Sequence, residues 1–220
     1  MASGCTSRPA GSATDTAPTE IAVIGDSFAT GFGLTDPRSR SFPRVLASDI
    51  CRRIVVNAQD GTGYVNPPHG HRGFQTYRAR LPEVPKGPLR ALILQGSDND
   101  GTYPPAEITD RAEQTFDALT DSAPDRLIVA VGPTRVPDKE LAQLTMIRDA
   151  LRTAAAHSHV VFVDPIAENW LASPDSYGAD REHPSAAGHA ELALHLRTVL
   201  AANGIDTRCG MGSDSIRASR

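Results

Sequence analysis

Glu20-Ile21-Ala22-Val23-Ile24-Gly25, followed at once by Asp26-Ser27-Phe28, is the segment on which the architecture turns. A short apolar run closed by a glycine reads as a strand rather than a helix. The pattern returns at Ile54 to Ala58, Leu89 to Gln95, Arg126 to Val131 and His159 to Asp164. Between these runs lie amphipathic stretches at Phe42 to Arg52, Ala106 to Ser122 and Asp138 to His157, and Ser185 to Asn203 closes the series with Gly204 as a stop. Strand and helix signals that alternate in this way predict a parallel sheet with helices on both faces. The expected architecture is α/β, a three-layer α/β/α sandwich around a flavodoxin-like five-stranded parallel sheet.

With 220 residues, 40% of them hydrophobic, the chain suits one domain with a sizeable core, expected over residues 20–204. Residues 1–19, rich in Ser, Thr, Ala, Gly and Pro, lack periodicity and read as a disordered leader or tether; residues 205–220 read as a tail. The net charge of −4 and scattered basic residues give no footprint for nucleic acid, which calls for a clustered basic surface. No stretch approaches the roughly 18 consecutive apolar residues of a membrane-crossing helix. Ala2-Ser3-Gly4-Cys5 resembles the end of a bacterial lipoprotein signal, although the charged start and apolar run are missing. One reading is an exported protein tethered to a membrane through a lipidated Cys5; the other is an incidental cysteine. Cys51 ends the first long helix and Cys209 follows the last, and such helices commonly pack side by side in a doubly wound domain. The pair is therefore a candidate disulfide, against the alternative of two free thiols.

In open α/β sheets, sites form outside the carboxyl ends of the strands, and Ser27 follows the first strand directly. Asn57-Ala58-Gln59-Asp60-Gly61-Thr62-Gly63-Tyr64 follows the second, and Gln95-Gly96-Ser97-Asp98-Asn99-Asp100 follows the third. Near the C-terminus stands Asp180-Arg181-Glu182-His183-Pro184. A hydroxyl is a poor nucleophile until an imidazole takes its proton, and the imidazole needs a carboxylate to fix its tautomer. Ser27, His183 and Asp180 are the matching residue types. Acyl transfer also needs hydrogen-bond donors aimed at the developing oxyanion. A backbone N–H at Gly61 or Gly63 and the Asn99 amide are candidates for that role.

These blocks resemble the SGNH hydrolase family, the GDSL esterases and lipases, from Ile21 to about Leu200. The resemblance implies that Ser27 is the nucleophile and lends its own N–H to the oxyanion hole. It likewise implies that His183 is the base, Asp180 its partner, Asn99 the amide donor, and Gly61 or Gly63 the glycine donor. Ser97 departs from the glycine usual in the third block. Sliding the register to make Gly96 that glycine would put Asp98 in the amide's place, where a carboxylate has no proton to donate. The implied activity is a serine esterase that hydrolyses short acyl or acetyl esters through an acyl-enzyme. The same groups would serve an acyltransferase with a sugar or other alcohol acceptor. A third reading, a binding protein that has lost activity, is disfavoured by the intact Ser27, Asn99, Asp180 and His183.

No cofactor and no metal are expected. His69 and His71 have no carboxylate or Cys at supporting spacing. His189 and His195 fall on the last helix as packing or surface residues, and Asp26 and Asp100 are expected to hold loops by hydrogen bonds. Gly61 to Pro88 is too long for an ordinary connection. Within it Thr62, Gly63, Tyr64, Val65 and Phe74 are candidates for a cleft wall, or else satellite packing. Trp170 and Tyr177 either border the cleft or join the core. An aromatic content of 5% gives no clear platform for sugar stacking, so the expected partner is a small-molecule, glycan or lipid ester.

Overall fold

In the computed structural model, which describes residues 21–67, 73, 75–85 and 87–209, the first strand (β1) spans Ile21–Gly25. The leader with Cys5, the residues His69, His71 and Phe74, and the tail beyond Cys209 lie outside the described residues. Strands β2 (Ile54–Ala58), β3 (Ala91–Gln95), β4 (Leu127–Val131) and β5 (Val161–Val163) complete one all-parallel sheet in the order β2-β1-β3-β4-β5. This is the flavodoxin-like order expected from the sequence. The chain turns from one side of β1 to the other between β2 and β3, so a crevice opens at the carboxyl ends of β1 and β3.

Alternation along each strand builds two cores. Ile21 and Val23 of β1 join one cluster, and Ala22 and Ile24 join the other. The first cluster is covered by α3 (Phe42–Asp49) and α6 (Ala186–Ala202), which pack against each other. The second lies under α4 (Pro105–Ser122) and α5 (Leu141–His157). Ile108, Ala112, Thr115, Phe116 and Leu119 form the buried stripe of α4 at helical spacing. Ser185, two residues after His183, caps α6 by accepting the Gly188 N–H at 3.2 Å, which fixes the helix start at Ala186.

Beyond Gly204 the packed chain continues through buried Ile205 and Thr207 to Cys209, which is joined to Cys51 by a disulfide. The described part of the Gly61 to Pro88 excursion is packed too. Tyr64, Val65, Tyr77 and Val84 are buried, and the Tyr64 ring sits 5.6 Å from Phe116. Tyr64 and Val65 therefore belong to the second core rather than to a cleft wall. Trp170 and Tyr177 are core residues as well: Trp170 stacks on His195 at 4.4 Å, and the Tyr177 hydroxyl donates to the Arg135 carbonyl at 2.8 Å. His189 is fully buried and accepts the Phe42 N–H at Nδ1, tying α6 to the start of α3. Burial, with His183 nearby, pushes its imidazole down to about 4.

Candidate active site

Ser27 opens α1 (Ser27–Thr30), a single helical turn that begins one residue after β1. Asp26 caps it by accepting the Phe28 N–H at 2.9 Å, and Gly31 ends it in the left-handed region at φ 79°. The side chain of Ser27 is thus fixed at the sheet edge between two stops. His183 arrives from the far end of the chain and places Nε2 3.0 Å from Ser27 Oγ. Its Nδ1 lies 2.8 Å from Asp180 Oδ2. That contact assigns the proton to Nδ1 and leaves Nε2 as an acceptor for the serine hydroxyl. Slight burial works to raise Asp180, but bonds from the His183 ring and from the His183 and Glu182 N–H groups outweigh it and hold the carboxyl below its usual range. A cleft of about 820 Å³ borders the imidazole, lined among others by Phe32, Leu34, Arg40, Ala179 and Pro184. The half-exposed Phe32 ring lies 4.6 Å from the His183 ring.

Asn99 stands on a short 3₁₀ turn, Asp98–Asp100, just past β3. Its amide nitrogen is 3.1 Å from the Thr62 carbonyl and 3.4 Å from Asp26 Oδ2. Ser97 caps this turn, accepting the Asn99 N–H at 3.0 Å and donating to the Thr62 carbonyl at 3.0 Å. The departure at Ser97 is therefore accommodated, because its hydroxyl ties the β3 loop to the β2 loop. The close approach falls one residue earlier, at Gly96 (φ 89°), where a Cβ would come within 2.7 Å of Asp26 Oδ2.

The two candidate glycines are not equivalent. Gly63 donates its N–H to the Asn66 carbonyl at 2.9 Å, and a Cβ there would fall 2.3 Å from Asp100 Oδ1. Asp100, fully buried, accepts the N–H groups of Tyr64, Val65 and Asn66 at 2.9, 3.1 and 2.8 Å, the loop-holding role expected of it. Burial nonetheless pushes its carboxyl up to about 6. Gly61 presents its carbonyl to the Asn66 amide at 2.7 Å, and among the described residues nothing accepts its N–H.

Two buried side chains that the sequence did not single out lie under this edge. Arg80, fully buried, donates to the Gly25 carbonyl at 3.0 Å, to the Asn57 carbonyl at 2.8 Å and to Thr62 Oγ1 at 3.0 Å. Tyr77, stacked under the guanidinium at 5.1 Å, donates to the Gln95 carbonyl at 2.6 Å. The ends of β1, β2 and β3 are thereby tied together by one aperiodic segment, and no local pattern announces it. Arg80→Met should lower the free energy of unfolding by about 3 kcal/mol, since it orphans buried carbonyls, and Lys should not restore it because its donors radiate from one nitrogen, whereas these acceptors are served by two guanidinium nitrogens. Urea titration of the three proteins checks this.

Asp26 is fully buried, and burial together with the nearby Asp98 pushes its carboxyl up to about 7 despite bonds from Phe28, Ser97 and Gln95. A folded-state value above the unfolded one means stability that is full at low pH and is lost as pH rises through the folded value. Asp26→Asn keeps the acceptor for Phe28 and has no proton to lose. Its melting temperature relative to wild type should therefore climb between about pH 4 and about pH 8; a pH-independent difference would contradict the burial argument.

An all-parallel α/β sandwich with a serine, an imidazole and a carboxylate in line at its carboxyl edge is the architecture of the SGNH hydrolases. The chain belongs to the GDSL-like lipase/acylhydrolase family, whose model matches residues 23–191. It is 31% identical over 183 residues to the GDSL lipase Rv0518 of Mycobacterium tuberculosis, covering 79% of this chain and 78% of that one. Among solved structures it is similar to TesA, with TM-score 0.68 and 18% identity over 83% of this chain and 98% of that chain. It is also similar to a carbohydrate esterase family 2 enzyme with a carbohydrate-binding domain from Corynascus thermopiles, with TM-score 0.66 and 20% identity over 91% of this chain and 69% of that one.

Proposed function

We propose that the protein is a serine esterase that cleaves short-chain carboxylic esters through an acyl-enzyme on Ser27. The observation that carries this reading is the relay from Ser27 Oγ through both nitrogens of His183 to Asp180, at 3.0 and 2.8 Å. His183 Nε2 takes the hydroxyl proton as Oγ attacks the ester carbonyl carbon, and Asp180 stabilises the imidazolium that results. The carbonyl oxygen becomes an oxyanion, for which Ser27 N–H, Gly61 N–H and the Asn99 amide are the proposed donors. Gly61 is preferred to Gly63 because the Gly63 N–H is already committed to Asn66. Of the two amide protons of Asn99, the one on the longer 3.4 Å contact to Asp26 is the cheaper to redirect. Imidazolium then protonates the departing alkoxide, and water repeats the cycle to release the acid.

Membership of an acylhydrolase family supports water as the second acceptor. Aryl esters of increasing acyl length, each incubated with and without glycerol or sugar alcohols, test it. Free acid as the main product, fastest for acetyl and other short chains, is the expected result. Dominant transfer to the added alcohol would make the protein an acyltransferase, and no turnover in either format would overturn the reading. We also propose an oxidising, extracytoplasmic location; the Cys51–Cys209 disulfide supports it.

A further inference from the structure

The loop that carries His183 and Asp180 is closed largely on itself. Gly178 N–H meets the His183 carbonyl at 2.8 Å, and Arg181 N–H meets the Gly178 carbonyl at 3.0 Å. Among the described residues, the hydrogen bonds of the Asp180 carboxylate stay inside the loop. Two side chains of the loop besides His183 pair with groups outside it, again among the described residues. Arg181 pairs with Asp138 at 2.7 Å, both half or more exposed. Glu182 Oε1 lies 2.9 Å from Lys139 Nζ, and the same ammonium lies 2.5 Å from Asp98 Oδ2. Asp98, buried, is the first residue of the turn that carries Asn99.

We infer that Lys139 is a positioning residue for the reaction, a clamp between the loop bearing the general base and the turn bearing the amide donor. The inference rests on the esterase reading above. Both elements must meet one carbonyl carbon, the imidazole near the attacking and departing oxygens and the amide at the oxyanion. They come from sites more than 80 residues apart in the chain, Asn99 and His183, and no backbone hydrogen bond joins them among the described residues. One buried carboxylate and one loop carboxylate sharing a single ammonium fix that separation. The Glu182 arm is partly open to water, at 40% exposure, so its contribution to overall stability is small. Its effect is on geometry, where a misplacement of about 1 Å can cost on the order of 10²-fold in rate.

The test measures kcat, KM and melting temperature with an aryl acetate for Glu182→Ala, Glu182→Gln, Lys139→Met and the Lys139→Met/Glu182→Ala double variant. Glu182→Ala should lose about 10- to 100-fold in kcat while KM and the melting temperature stay close to wild type. Glu182→Gln, whose amide oxygen still accepts from the ammonium, should recover most of that loss. The double variant should be no slower than Lys139→Met, since both changes cut one link. Wild-type kcat in Glu182→Ala, or losses that multiply in the double variant, would overturn the clamp. If Lys139→Met fails to fold with Asp98 left unpaired, the two Glu182 variants decide alone. Ser27→Ala is run beside them: wild-type turnover there would sink the esterase reading itself, whereas a dead Ser27→Ala with an unaffected Glu182→Ala would sink only the clamp.

Discussion

Ser27→Ala is expected to lower turnover of a short-chain aryl ester by at least about 10³-fold while leaving the fold in place. The loss is large because the variant has no atom with which to form the acyl-enzyme, so the proposed oxyanion donors could assist only direct attack by water. The fold should survive because, among the described residues, the Ser27 hydroxyl bonds only to His183, whereas the helical turn it opens is held by Asp26 and by Thr30, which bonds to the Ser27 carbonyl rather than the side chain. Melting should therefore shift by an amount worth no more than about 1 kcal/mol. Asp180→Asn should cost less than Ser27→Ala. Its carboxylate is 44% exposed, and water already screens part of its charge. Steady-state kinetics and a thermal melt on the three proteins check both the loss and the ranking.

Breaking the Cys51–Cys209 disulfide should produce the largest change in stability. The bond spans 158 residues, and in the chain-entropy account closure of so long a loop is worth about 4 to 5 kcal/mol. It pins the segment that carries buried Ile205 and Thr207 to the end of α3, so its loss also frees two packed side chains. Both cysteines are exposed, which leaves the bond open to a reductant. Cys51→Ser should unfold at markedly lower denaturant than wild type, reductant should bring wild type towards the variant, and reductant should leave the variant unmoved. Alkylation of both thiols in non-reduced protein would contradict the pairing.

The five strands were legible because each carries a short, mainly apolar run, that of the central β1 buried along its whole length, and the four long helices because each keeps an apolar face. α1 and α2 (Pro37–Arg40) were not, since four residues are too few to display a period. Within the candidate site, the candidates Ser27, Asp180, His183 and Asn99 were legible because each lies in a short local block at a strand end or in the loop before α6. The ground for proposing Gly61 rather than Gly63 was not. It depends on where the Asn66 carbonyl points, in a loop whose three N–H groups gather on Asp100 from the turn after β3. Arg80 and Lys139 were invisible for the same reason: their partners, backbone carbonyls and a hydroxyl for one and carboxylates for the other, are brought near only by the fold. Of the two roles open to Tyr64 the structure shows packing rather than a cleft wall; an apolar ring in a glycine-rich loop can face inward as readily as outward, and here Phe116 and Tyr77 give it a buried place.

Covalent capture tests the central claim most directly. A fluorophosphonate reacts with a serine only where a neighbouring base activates the hydroxyl. Intact mass and peptide mapping of wild type, Ser27→Ala and His183→Gln after brief exposure should show one adduct, on Ser27, in wild type and essentially none in either variant. Unlabelled wild type, an adduct on another residue, or His183→Gln labelled as fast as wild type would contradict an active serine at position 27.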